Sequence, residues 1–116
     1  MIRTIQLTDA KAIRDISEFS LGYKTTEAVT ERQIAKLLAD KQHFIRVYED
    51  DETHTVVGFI HAEAYELLFE EAGFNILELA VSSEHQHKGI GKQLLGAVEA
   101  EAAARHYRFI RLNSGE

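Results

Sequence analysis

Among its 116 residues the chain has no cysteine and no proline. Without thiols it can form no disulfide, and the N-terminal stretch "MIRTIQLTDAKAIRD" lacks the basic region, apolar core and cleavage site of a secretion signal, so a cytosolic location is expected. No segment approaches the run of about 18 apolar residues that a membrane span requires, which argues against membrane insertion. Basic residues are also scarce, with 13 Lys and Arg against 19 Asp and Glu and a formal charge of -6. Phosphate backbones are bound by clustered cations, so a general nucleic-acid surface is not expected, and any anion site must be local. No repeat, low-complexity tract or linker divides the chain. At this length there is room for one core, so residues 1–116 are expected to form a single domain. What is present is ordinary for a soluble globular protein, with 45% hydrophobic and 28% charged residues.

Periodicity orders the elements. "MIRTIQL" alternates as a first strand, and "TDAKAIRDISEFSLG" follows with Ile13, Ile16 and Phe19 at near-helical spacing. Thr30 and Gln33 form a capping box flanked by Val29 and Ile34, which predicts a second helix from Glu31. "HFIRVYED" and "TVVGFIHAEAYELL" read as the second and third strands, joined at the acidic "EDDETH". "FNILELAV" is the fourth strand. A third helix follows from about Gly89 to Arg105, with Ile90, Leu94, Val98 and Ala102 recurring every four residues, and "YRFIRLN" closes as the fifth strand.

The most informative stretch is "LAVSSEHQHKGIGKQLL", in which two glycines stand where a helix begins. The first N–H groups of a helix have no partner within it, and the peptide dipoles place about half a positive charge there. Gly89 and Gly91 remove the side chains that would hold a ligand off the backbone, so the loop suits a phosphate or pyrophosphate. It lacks the Gly-Lys-Ser/Thr ending of a Walker loop and the third glycine of the dinucleotide fingerprint.

Gln86-x-x-Gly89-x-Gly91, between a strand and a helix, resembles the acyl-CoA loop of the GNAT superfamily of N-acyltransferases, and the order of elements resembles that family's from Met1 onward. The resemblance implies an α+β fold: a mixed, mostly antiparallel twisted sheet of about five strands with about three flanking helices. It implies that backbone groups of Leu79, Ala80 and Val81 pair with the pantetheine arm of acetyl-CoA. Main-chain N–H groups across Gln86, His87, Lys88, Gly89, Ile90 and Gly91 would hold the pyrophosphate, and Lys88 and Lys92 would lie near the adenosine phosphate end. No metal is implied. The reaction implied is direct attack of an amine on the acetyl thioester in a ternary complex, with a small-molecule amine or a protein amino group as acceptor. A CoA-binding module without turnover is the alternative.

An alkylamine titrates near 10, so a base must take its proton at neutral pH. Glu78 is the first candidate, because it sits among apolar residues where burial raises a carboxyl pKa, and Glu63 is the second. His61 is a further candidate base. His85 and His87 form a His-x-His pair without a wider ligand cluster. Phe19, Tyr23 and Phe44 are candidates for an acceptor pocket or for the core. The family's fold continues past its fifth strand into a helix, which usually carries a tyrosine acid, and two further strands. "IRLNSGE" resembles the close of the fifth strand and the turn into that helix, which is expected to leave the fold short of those elements and a fifth-strand surface of Phe109, Ile110 and Leu112 that a second copy would cover in a homodimer.

Overall fold

The computed structural model describes residues 1–112. They build one five-stranded sheet in the order β1 (Ile2–Thr4), β2 (His43–Glu49), β3 (Val56–Leu67), β4 (Glu70–Val81) and β5 (Ile110–Leu112). Every neighbouring pair is antiparallel except β4 and β5, which run parallel. Helices α1 (Ala10–Ile16) and α2 (Glu27–Leu38) lie in the connection from β1 to β2, and α3 (Ile90–Ala104) makes the crossover from β4 to β5. A wide π-type turn, Ser17–Leu21, extends α1. The expected α+β fold of five strands and three helices is what forms.

The helices sort to opposite faces because the strands alternate. Ile90, Leu94, Val98 and Ala102 form one stripe of α3 and pack on Phe44, Ile60, Ala62, Phe74 and Ile76. Ile13 and Ile16 of α1 and Ile34 of α2 pack on Ile45, Val47, Phe59 and Ala80 on the other side. Each such apolar side chain contributes roughly 1.5–3 kcal/mol on burial. Arg3 ties the edge of this second layer: its guanidinium donates to both carboxylate oxygens of buried Asp9 at 2.9 Å and to Glu49 at 2.7 Å.

A bulge divides β4. His61 lies opposite Glu78 but Ala62 lies opposite Ile76, so Leu77 is an extra residue on β4. An inserted residue shifts the alternation by one. Phe74 and Ile76 therefore face α3 before the bulge, and Leu79 and Val81 do so after it, which sends Ala80 and its neighbour Glu78 to the α1/α2 side.

Four expectations are corrected. Helix α2 starts a turn early, capped by Thr26, whose Oγ1 accepts from the Val29 N–H at 3.1 Å. Thr30 instead sits inside the helix and donates to the Thr26 carbonyl at 3.1 Å, since the earlier threonine gains a whole extra turn. Strand β4 starts at Glu70, because the length of β3 draws "EEAG" into pairing across the hairpin. Strand β5 is shorter than "YRFIRLN": residues before Ile110 approach by single bonds, Arg108 N–H to Ala72 and Phe74 N–H to Phe109. Of the two alternatives for Phe44, the core is the one that forms, against Phe74. The β5 surface expected to be bare is mixed, since Ile110 packs toward α3 and Phe109 meets Tyr65 edge-on, while Leu112 is exposed. The expected turn into a fourth helix begins at Asn113, outside the described residues.

Candidate functional site

β5 pairs with residues 74–76 of β4, and among the described residues no strand pairs with the outer edge of residues 77–81. The ladder on the inner edge fixes what that outer edge offers. Ser82 N–H donates to the Val57 carbonyl at 2.8 Å, which makes Val81 and Gly58 a non-hydrogen-bonded pair. By alternation Leu79 is in the same position opposite Ile60. The N–H and C=O groups of Leu79 and Val81 thus point outward, and those of Ala80 point to β3. The Val81 carbonyl already accepts two side-chain bonds, from Ser20 Oγ at 3.1 Å and Gln86 Nε2 at 3.3 Å.

The strand runs directly into the glycine loop. Gln86 is extended, His87 takes a left-handed φ of 66°, and Gly89 takes 81° as the N-cap of α3. That conformation is free for glycine but costs a side-chain-bearing residue such as His87 roughly 1–2 kcal/mol. Strain of this kind is held only where the surroundings demand it. A methyl group added to Gly91 would find only Val81 Cγ2, at 3.9 Å, so the glycine is not required by packing. The space it leaves open is part of a groove of about 340 Å³, walled by Leu79 and Val81 on one side and by residues 85–87 and 89–91 on the other. The start of α3 therefore presents free N–H groups and a positive dipole end to an open groove.

His85 and His87 diverge. The His85 ring shares a hydrogen bond of 2.8 Å with Ser82 Oγ and reaches Asp50 Oδ2 at 3.4 Å. Asp50 is held below the usual carboxylate range by N–H bonds from Thr53 and Glu52, so His85 pins the loop to a charged partner in the β2–β3 turn. His87 is exposed, and no group of three or more His, Cys, Asp or Glu side chains among the described residues is arranged to hold a metal ion. Lys88 is exposed beside Tyr48, Asp50, Asp51 and Glu52, and Lys92 is exposed one turn further on.

The candidate bases occupy the opposite face of the sheet from α3. Glu78 stands just beyond the bulge, and burial raises its carboxyl pKa. His61 lies across from it on β3, and its Nε2 shares a hydrogen bond of 2.8 Å with His43 Nδ1 on β2. His43 Nε2 in turn lies 3.6 Å from Glu63. The Glu63 side chain is 42% exposed and faces away from the open edge, toward β2. Phe19, with Ile16, Ser20 and residues 82–84, lines a second cavity of about 280 Å³ beside the end of β4, while Tyr23 is exposed. Ser20, His43, Ser82 and Asp50 carry no linear signal; they join the site through long-range contacts alone.

The profile of the acetyltransferase (GNAT) family matches residues 10–116, from the first residue of α1 through the glycine loop to the end of the chain. The chain belongs to the GNAT acetyltransferase family. A search of curated protein sequences gives no match. Solved structures extend the comparison to the whole fold. A GNAT family acetyltransferase from Staphylococcus aureus superposes with a TM-score of 0.86 at 22% identity, covering 100% of this chain and 87% of its own. Glucosamine-6-phosphate N-acetyltransferase from Arabidopsis thaliana gives 0.85 at 14% identity over 97% of this chain and 80% of its own. An aminoglycoside 6'-N-acetyltransferase from Acinetobacter haemolyticus gives 0.81 at 15%, over 98% and 79%. At these identities the likeness is one of fold, and this GNAT acetyltransferase keeps the fold with little of its neighbours' sequence. Among the described residues no helix is long and apolar enough to cross a membrane.

Proposed function

We propose that residues 1–116 act as one acyl-CoA-binding unit that transfers an acetyl group from acetyl-CoA to a primary amine by direct attack within a ternary complex. The observation that carries this reading is the continuity of the open edge of β4 with the glycine loop. Leu79 offers an outward N–H and C=O, and Val81 an outward N–H, suited to the amides of a pantetheine arm, with Ala80 between them anchored to β3. Residues 86–91 offer unpaired N–H groups and a positive helix end suited to a pyrophosphate, and Gly91 leaves the space that such a group needs. Lys88 and Lys92 add mobile positive charge at the outer end. When bound, acetyl-CoA supplies the activated acetyl carbonyl.

Glu78 is the base in this reading. Burial keeps its carboxyl pKa above the ordinary range and so nearer to working pH, where it can take a proton from the attacking amine. The acceptor approaches from the cavity between Phe19 and the end of β4. Primary amines are favoured because two structural neighbours are named as acetyltransferases of an amino-sugar phosphate and of an aminoglycoside.

The test is thiol release from acetyl-CoA in the presence of glucosamine 6-phosphate, an aminoglycoside and a peptide with a free N-terminus. One of these amines should stimulate release, and Glu78→Gln should lower kcat about 100-fold. In the parent the rate should climb with pH as Glu78 loses its proton, and in Glu78→Gln that limb should vanish. Tight binding of CoA with no thiol release from any amine would favour a binding module over an enzyme.

A further inference from the structure

The hairpin that joins β3 to β4 carries large apolar side chains where no described residue covers them. We propose that Leu68 and Phe69 at its tip are a docking surface for a second copy of this chain, seated against β5 of that copy in a two-fold dimer.

Leu68 and Phe69 are the two turn residues, since Leu67 pairs with Glu70. They are 107% and 86% exposed, the highest values among the exposed large apolar residues described. Local structure does not call for them, because two-residue hairpin turns favour Asn, Asp and Gly. The tip also stands clear of the sheet. Pairing of β2 with β3 stops at Glu63, with one further bond from the Ala64 N–H to the Gln42 carbonyl. Pairing of β5 with β4 starts at Phe74, with one further bond from the Arg108 N–H to the Ala72 carbonyl. Residues 65–71 are thus a two-stranded ribbon, a form that is marginal in water until something packs on it.

Charge selects a second copy as the occupant. Exposed Glu66 and Glu71 stand behind the tip, while exposed Arg108 and Arg111 stand beside Leu112, itself 66% exposed. Arg111 is held over the Tyr65 and Phe109 rings, 4.8 and 4.9 Å from their centroids. Glu71 and Arg108 meet at 3.7 Å with both side chains largely in solvent, a weak pair that can re-form between copies. An acidic apolar tip and a basic apolar strand on one molecule make a self-complementary surface. The spacing suits a two-fold axis. Leu112 lies opposite Ile76, about six strand residues or roughly 20 Å from the turn. An axis midway, near Gly73 and Phe109, sets each tip on the other copy's Leu112 and each Glu66 toward the other copy's Arg111. Leu68 and Phe69 expose on the order of 400 Å² per copy, about half of what a standard interface takes from each partner. The strip from Arg108 to Leu112, which receives the other tip, supplies the rest. The same glutamates, on a chain of charge -6, disfavour an anionic bilayer as the occupant.

The test is light scattering of the full chain over a dilution series from high to sub-micromolar concentration. The parent should be a dimer that dissociates on dilution. Leu68→Ser/Phe69→Ser should raise the dimer Kd about 100-fold. Its urea midpoint, read where the parent is monomeric, should stay unchanged because both side chains are exposed. Glu66→Arg should raise the Kd about 10-fold, and adding Arg111→Glu should recover most of that loss, which keeps the test open should the serine variant fold poorly. A parent that is monomeric at high micromolar concentration, or a dimer Kd untouched by the serine variant, would overturn the proposal. A double charge variant no tighter than Glu66→Arg would overturn the seating on β5. A monomeric parent that floats with phosphatidylserine vesicles, and loses them in the serine variant, would assign the tip to a lipid surface instead.

Discussion

The two halves of β4 contrast within a single strand. Residues 74–76 are paired on both edges, by β3 and β5, and bury Phe74 and Ile76 under α3. Residues 77–81 are paired on one edge, and among the described residues no strand pairs with the other. The bulge at Leu77 separates them and reverses which side chains meet the core. The paired half holds the sheet together, and the open half turns the N–H and C=O groups of Leu79 and Val81 outward while Glu78 takes the face opposite α3. A single inserted residue gives one strand both characters, because the shift in alternation moves Glu78 to the face opposite α3.

The largest expected effect lies in the paired half. Phe74→Ala removes a ring that is fully buried between Phe44 and Tyr107 and should cost about 3–5 kcal/mol in urea unfolding, enough to consume much of the stability of a domain this size. A loss below about 1 kcal/mol would show that β4 is not the structural centre of the sheet. Next comes a pH effect near the open half. His61 is held neutral with a pKa of about 4 against 6.5 in the unfolded chain, so the unfolded state binds the extra proton first as pH falls. Stability should be independent of this group above pH 6.5 and decline between 6.5 and 4, by up to about 3 kcal/mol. His61→Gln should flatten that slope, and an unchanged slope in denaturant melts across this range would contradict it. The smallest effect is expected at the rim. Lys88→Ala should weaken CoA binding only a few-fold at low salt and hardly at all at high salt, because an exposed lysine acts through screened attraction. Equal losses at both ionic strengths would mean that Lys88 makes a buried contact.

Much of this contrast was readable from the residues in order. The stripe of Ile90, Leu94, Val98 and Ala102 and the glycines before it predict α3 and its start to within a residue, because helical period and glycine punctuation are local properties. Strands β2 and β3 followed from their β-branched and aromatic content. The early part of β4 did not, since "EEAG" has no strand-forming side chains and is ordered by its partner; a methyl group on Gly73 would lie 2.6 Å from the Phe109 ring. The start of α2 was misplaced because Thr26 and Thr30 both present a capping hydroxyl, and only the packed chain decides between them. For the candidate site, Glu78 and the loop were visible in sequence. The bulge that turns Glu78 inward and the 18-residue separation bridged by His43 and His61 were not, because both are products of strand register.

The central claim is that the open half of β4 and the glycine loop form an acyl-CoA site, and calorimetric titration of acetyl-CoA into the parent and Gly91→Val tests it most directly. Outside its own helix, the first carbon of a side chain added at Gly91 meets only Val81 Cγ2, at 3.9 Å, so the variant should fold with stability close to the parent's. It should nevertheless fill the groove at the helix start and weaken acetyl-CoA binding at least 100-fold. A Gly91→Val chain that folds normally and binds acetyl-CoA as the parent does would contradict the account.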